Sequence, residues 1–138
     1  LSYKPSKVLG IEISHSYRKS LKNKFENQNV VILANDAKEL KNIVSDSSVD
    51  KLLAVNVIYF LEPLESYVKE FHRIIKQGGE GIIACKFNGV ANFDDSVAVN
   101  KDIDFVTSSF EKGGFSISHM NVDLGNDFSK YTAISIKK

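Results

Sequence analysis

The chain has 138 residues, enough for one domain with a core and too few for two. Its 18 Lys and Arg against 17 Asp and Glu leave a net charge of +1, so no strong field recruits nucleic acid or an acidic membrane surface. One cysteine, Cys85, excludes an internal disulfide and fits a reducing, cytoplasmic setting; no apolar run is long enough to span a bilayer, and no signal peptide opens the sequence.

The opening "LSYKPSK" reads as a loop without an initiator methionine, as though the sequence were the later part of a longer protein. "KVLGIEIS" then climbs as a short apolar strand to one carboxylate, Glu12. In residues 17–27, Tyr17, Leu21 and Phe25 recur at helical spacing, with Ser14 or Ser16 as cap. "NVVILAND", residues 29–36, reads as a second buried strand ending at Asp36, followed by a short helix. "LLAVNVIYF", residues 52–60, is apolar on both alternating faces, with only Asn56 interrupting, and "EGIIACKF", residues 80–87, behaves the same way. Continuous apolar strands predict a sheet covered on both faces.

Between these two strands Pro63 fits the first position of a helix whose Leu64, Val68, Phe71, Ile74 and Ile75 form one stripe, with Gly78-Gly79 as its stop. A further helix is expected over residues 100–112, with Ile103, Val106 and Phe110 inward and Gly113-Gly114 ending it. "FSISHMNVDL" and "YTAISIKK" read as an antiparallel pair joined by "GNDFSK", and the shift of apolar phase between Ile117 and Met120 predicts a bulge.

The order β-α-β-(short helix)-β-α-β-α-β-β predicts an α/β fold: an open, doubly wound, mostly parallel sheet with helices on both faces and a C-terminal antiparallel strand pair. In such sheets ligands sit beyond the carboxyl ends of the strands, which singles out Glu12, Asp36 and Asn56. Glu12 is placed either to accept from the two hydroxyls of a ribose or to hold a turn. Asp36 is placed either to accept from the exocyclic amine of an adenine or to shape a loop. Asn56, in an apolar run, needs partners, and they come from the backbone or from a ligand. Tyr59 and Phe60 either border a substrate or pack in the core. His15, His72 and His119 have no metal-ligand spacing with Cys85, which reads as a small core residue.

The segments "VLGIEIS", "NVVILANDAKEL" and "SSVDKLLAVNVIYFLEPLESYVKEFHRIIKQGGEGIIACKF" together resemble class I S-adenosylmethionine-dependent methyltransferases of the methyltransferase domain 11 type, over nearly the whole chain. The resemblance implies a Rossmann-like methyltransferase fold with S-adenosylmethionine as cofactor. "GIEIS" is similar to the family's acidic second-strand motif, which makes Glu12 the ribose ligand and Ile13 a neighbouring cofactor contact. "NDA" is similar to its third-strand motif, which makes Asp36 and Ala37 adenine contacts. "AVNVIYF" is similar to its fourth-strand motif and places Asn56 near the methionine moiety. The antiparallel tail also matches the family and disfavours a nicotinamide-dependent oxidoreductase.

The family's first strand and glycine-rich loop have no counterpart here, since only six residues precede Lys7. The expectation is therefore a single methyltransferase-like domain over 1–138 without its N-terminal strand, loop and helix. Its sheet should then close by pairing "VLGIEI" directly with "LLAVNVI", by self-association that borrows a strand at the unpaired edges, or through residues outside this sequence. The function expected is methyl transfer from S-adenosylmethionine to a small molecule. The alternative is a non-catalytic relative that acts through protein partners. No catalytic acid or base stands out, and methyl transfer to a good nucleophile needs mainly proximity and in-line orientation.

Overall fold

The computed structural model describes residues 5–26, 28–125 and 130–138. The chain divides into two compact units, residues 1–40 and 41–138.

The first unit is a β-α-β crossover. Strand β1 (Val8–Ile11) leads through a tight turn into helix α1 (His15–Lys24), and strand β2 (Val30–Leu33) returns parallel to β1. The register pairs Val8 with Val30 and Ile11 with Leu33. The Glu12 N–H donating to Leu33 O at 3.1 Å carries the pairing one residue beyond β1. Gly10 lies opposite Ile32, where a Cβ would press on the Ile32 side chain at 2.7 Å. The inward stripe of α1 is shorter than the sequence suggests. Leu21 and Phe25 are half-buried, whereas Tyr17, one turn earlier, is 67 % exposed. Ser14 occupies the cap position, but its side chain makes no capping bond.

The second unit holds strand β3 (Val49–Val55), a 3-10 turn (Ile58–Phe60), helix α2 (Leu64–Ile74), strand β4 (Ile75–Cys85), the one-turn helix α3 (Phe87–Val90), helix α4 (Ile103–Lys112), and strands β5 (Ser116–Val122) and β6 (Tyr131–Lys137). Its sheet runs in the order β3-β4-β6-β5. Strands β3 and β4 are parallel, and β6 inserts antiparallel between β4 and β5. Ala54, Ile83, Cys85, Ile134 and Ile136 form the buried face, and Val68, Phe71, Ile74, Val106 and Phe110 from α2 and α4 complete the core. Phe71 stacks on Phe110, which also meets Phe115. Each large apolar side chain so buried contributes about 1.5–3 kcal/mol. Helix α4 starts on Asp102, whose Oδ1 accepts from the N–H groups of Asp104 (2.7 Å) and Phe105 (2.9 Å). It stops at Gly113, where a Cβ would collide with Val68 of α2.

Several expectations are corrected. The predicted strand over 52–60 ends at Val55, because Asn56 takes a left-handed backbone (φ 52°) and the chain turns into the 3-10 segment. Asn56 therefore lies past the strand, not within it. The pair Gly78-Gly79 does not stop a helix: Ile75 is already extended and pairs with Val49, so both glycines lie inside β4. Residues 36–48 contain turns but no helix. The β5–β6 register runs without a break from Ser116–Lys137 to Val122–Tyr131, so there is no bulge between Ile117 and Met120. Part of the expected joining segment "GNDFSK" (residues 126–129) lies outside the described residues. On the side of the second unit's sheet opposite this core, Leu53 (73 %), Val55 (50 %), Ile82 (41 %) and Met120 (65 %) are exposed. Within the units, β1 pairs with β2, and β3 pairs with β4.

Candidate functional site

In the first unit the parallel pairing of β1 and β2 brings Glu12 and the 34–37 segment to the same, carboxyl-terminal edge. Glu12 is half-buried. Its Oε1 accepts the Ser14 N–H at 2.7 Å, while among the described residues Oε2 has no hydrogen-bond partner. The turn beneath it is tied by Arg18, whose Nη1 donates to the carbonyls of Glu12 (3.0 Å) and Ile13 (2.5 Å). That places a guanidinium under two strand-end carbonyls and fixes the direction in which α1 leaves. The side chain of Ile13 is 71 % exposed. Arg18 was not singled out in the sequence, where an arginine six residues after an acid carries no distinctive pattern.

Asp36 stands three residues past β2 and is half-buried, as is Ala37 beside it. Its Oδ1 accepts the Lys38 N–H at 3.2 Å, and its Oδ2 lies 3.7 Å from Lys38 Nζ. Its carbonyl accepts the Glu39 N–H at 2.9 Å, closing a turn. The aspartate thus shapes its own loop, and a carboxylate with about four lone-pair sites retains capacity for a further donor.

In the second unit Asn56 follows β3, with its backbone N–H on Ala84 O at 2.9 Å and its side chain exposed. Asn56 Oδ1 is bonded to the Tyr59 hydroxyl at 3.2 Å. The same hydroxyl accepts the backbone N–H of Lys86, just past β4. Tyr59 therefore ties the ends of two parallel strands together. Its ring is 2 % exposed and meets Phe60 and Phe87 edge-on. Burial raises the phenol pKa above its ordinary value, against the Lys86 N–H, which lowers it. A tyrosine in the apolar run "VIYF" is the signal for this bridge, since a buried phenol needs a hydrogen-bond partner.

Cys85 is fully buried, and burial pushes its thiol up to about 12, which removes it as a nucleophile at neutral pH. His72 packs edge-on against Phe115, and burial, followed by nearby Lys138, holds its pKa below the ordinary value. Among the described residues no group of three His, Cys, Asp or Glu is placed to hold a metal ion, and no helix is long and apolar enough to cross a membrane.

Residues 1–83 match the methyltransferase-domain family Methyltransf_11, and the chain belongs to that family of S-adenosylmethionine-dependent methyltransferases. Solved structures share its fold at low identity. A methyltransferase from Mesorhizobium loti is 12 % identical with a TM-score of 0.76, over 96 % of this chain and 81 % of that one. One from Archaeoglobus fulgidus is 15 % identical with a TM-score of 0.74, over 94 % and 75 %. The N-methyltransferase NodS from Bradyrhizobium japonicum, solved with S-adenosylhomocysteine, is 9 % identical with a TM-score of 0.74, over 96 % and 66 %. None of the curated proteins matches the chain.

Proposed function

We propose that this protein transfers a methyl group from S-adenosylmethionine to a small-molecule nucleophile, and that residues 1–138 belong to one methyltransferase domain. The observation that carries the reading is the pair of acids, Glu12 and Asp36, just beyond the ends of two paired parallel strands inside the family-matched segment.

The residues suit the cofactor chemically. An ionised carboxylate is an acceptor only, and Glu12 keeps one oxygen without a partner for ribose hydroxyls. Asp36 offers a second acceptor for the adenine amine, with Ile13 and Ala37 as neighbouring contacts. When bound, S-adenosylmethionine supplies a methyl group on a sulfonium, so the protein's task is to hold and orient it and to keep the acceptor in line. A net charge of +1 gives no reason to expect a polyanionic acceptor.

The test is isothermal titration of the complete protein with S-adenosylhomocysteine, followed by transfer of label from methyl-labelled S-adenosylmethionine to a panel of amine, hydroxyl and thiol acceptors. Saturable binding and label on a small acceptor are expected. Absence of heat with the folded protein overturns the reading.

A further inference from the structure

We propose that the groove beside helix α1 is an anion site for a ligand carrying a chain of linked phosphates. His15, Arg18, Lys19 and Lys22 of α1, with Ala34 just past β2, line a cavity of about 480 Å³. All five residues belong to the first unit. None of them is among the residues read as cofactor contacts, so the proposal stands apart from the cofactor reading.

Helix α1 carries four Lys and Arg residues and no Asp or Glu. The net charge of +1 hides this, because the acids lie elsewhere in the chain. Arg18 and Lys22 are four residues apart, and Lys19 and Lys22 three, so these cations are neighbours on the helix surface and repel one another. Lys19 and Lys22 are exposed, and among the described residues neither has an ion pair or a hydrogen bond. Lys24 is turned elsewhere: its Nζ lies 5.7 Å from the centre of the Phe25 ring, and it does not line the cavity. A row of cations without a counter-charge costs the helix stability, and a bound anion removes that cost.

Arg18 is held more firmly. Its Nη1 donates to the carbonyls of Glu12 (3.0 Å) and Ile13 (2.5 Å), while among the described residues Nε and Nη2 have no hydrogen-bond partner. A guanidinium anchored in this way presents its remaining N–H groups as a planar fork, which matches the oxygens of a phosphate. Lys19 and Lys22 add two ammonium point charges. From His15 to Lys22 the row extends about 10 Å along the helix axis, at about 1.5 Å per residue. One carboxylate meets only part of that row, whereas two or three linked phosphates spread their charge along it. The cavity falls within the ~300–1,000 Å³ range of small-molecule sites, which favours a compact polyanion over a nucleic-acid strand.

The experiment titrates inorganic tripolyphosphate into the complete protein at low ionic strength, with circular dichroism to establish that each variant folds. One saturable site per chain is expected, with orthophosphate at least about tenfold weaker. Replacing both Lys19→Gln and Lys22→Gln should weaken tripolyphosphate by about tenfold. Replacing Lys7→Gln and Lys24→Gln removes the same amount of charge from exposed residues outside the cavity, and should change affinity by less than about twofold. Cytidine triphosphate separates the sources of such a group: affinity equal to that of tripolyphosphate assigns the site to the phosphate chain alone, and tighter binding assigns it to the tail of a nucleotide. Equal losses in the two double variants would show diffuse attraction instead of a site and overturn the proposal. So would the absence of saturable tripolyphosphate binding by the folded wild-type protein, or orthophosphate binding as tightly as tripolyphosphate. None of these results bears on binding of S-adenosylhomocysteine, which is measured separately.

Discussion

Glu12 donates its N–H to Leu33 O at 3.1 Å, one step beyond the last ladder pair of Ile11 and Leu33. The position of the Glu12 backbone is therefore a consequence of strand register, and its carboxylate is then aimed by the Ser14 N–H on Oε1. If the remaining oxygen holds ribose hydroxyls, Glu12→Ala should weaken S-adenosylhomocysteine by ~1.5–3 kcal/mol, the range for hydrogen bonds to a charged group. Glu12→Gln, which keeps the shape and one acceptor, should lose less. Thermal melts should move little in either variant, because the Ser14 N–H lies near the surface and water can replace the lost bond. Unchanged affinity together with a large drop in melting temperature would make Glu12 a turn-holding residue only.

Asp36 separates base recognition from loop shape. Asp36→Asn retains an oxygen for the Lys38 N–H while replacing the other oxygen with a donor that would face the adenine amine. Adenosine should bind about tenfold more weakly, equivalent to roughly 1.4 kcal/mol. Purine riboside, which lacks the amine, should change less than about twofold. Parallel losses for the two ligands, measured by titration, would show that Asp36 does not read the base.

Much of this architecture is legible in the sequence because apolar runs and glycine stops report burial and chain reversal directly. Glu12 and Asp36 stand near strand ends as the runs "VLGIEI" and "VVIL" predict, and the stripe Leu64, Val68, Phe71, Ile74 and Ile75 is buried. What failed were places where long-range pairing overrides a local sign. Gly78-Gly79 looks like a helix stop, yet the pairing of Ile75 with Val49 draws the chain into a strand before the glycines are reached. "LLAVNVIYF" looks like one strand because Val57 to Phe60 are apolar, but Asn56 breaks it and two of those residues, Ile58 and Tyr59, are buried in a turn instead. The Arg18 clamp and the Tyr59 bridge join residues whose spacing follows no motif, so only the folded chain brings them together.

The loop before β3 depends on Arg73. Its guanidinium forms a two-point contact with Glu70 (Nε–Oε2 2.9 Å, Nη2–Oε1 2.7 Å) and also reaches Val44 O at 2.9 Å and Asp46 Oδ1 at 2.5 Å. Hydrogen bonding to Glu70, followed by that to Asp46, holds its pKa well above the usual value. The side chains of Arg73 and Glu70 are 18 % and 11 % exposed, whereas that of Asp46 is 78 % exposed. Arg73→Met should therefore cost about 3 kcal/mol, the lower end for removing one partner of a buried pair. Asp46→Ala should cost less than about 1 kcal/mol. Urea unfolding of both variants checks the contrast, and equal costs would mean that the exposed contact matters as much as the sheltered one.

Cys85 predicts how the fold responds to alkali. Its thiol is pushed from 9.0 to about 12 by burial, so the folded state favours the protonated form. Below pH 9 the thiol is neutral in both the folded and the unfolded chain, and its titration has no effect on stability. Between pH 9 and 12 the unfolded chain ionises while the folded one does not, so stability falls as pH rises, by at most about 1.4 kcal/mol per pH unit. The Tyr59 phenol, also raised by burial, contributes in the same direction. Cys85→Ala will lower the melting temperature at pH 8, because it empties space in a fully buried site. The informative quantity is the slope: between pH 9 and 11 the melting temperature of the variant should fall less steeply than that of the wild type. Parallel slopes would show that the fold does not hold this thiol neutral.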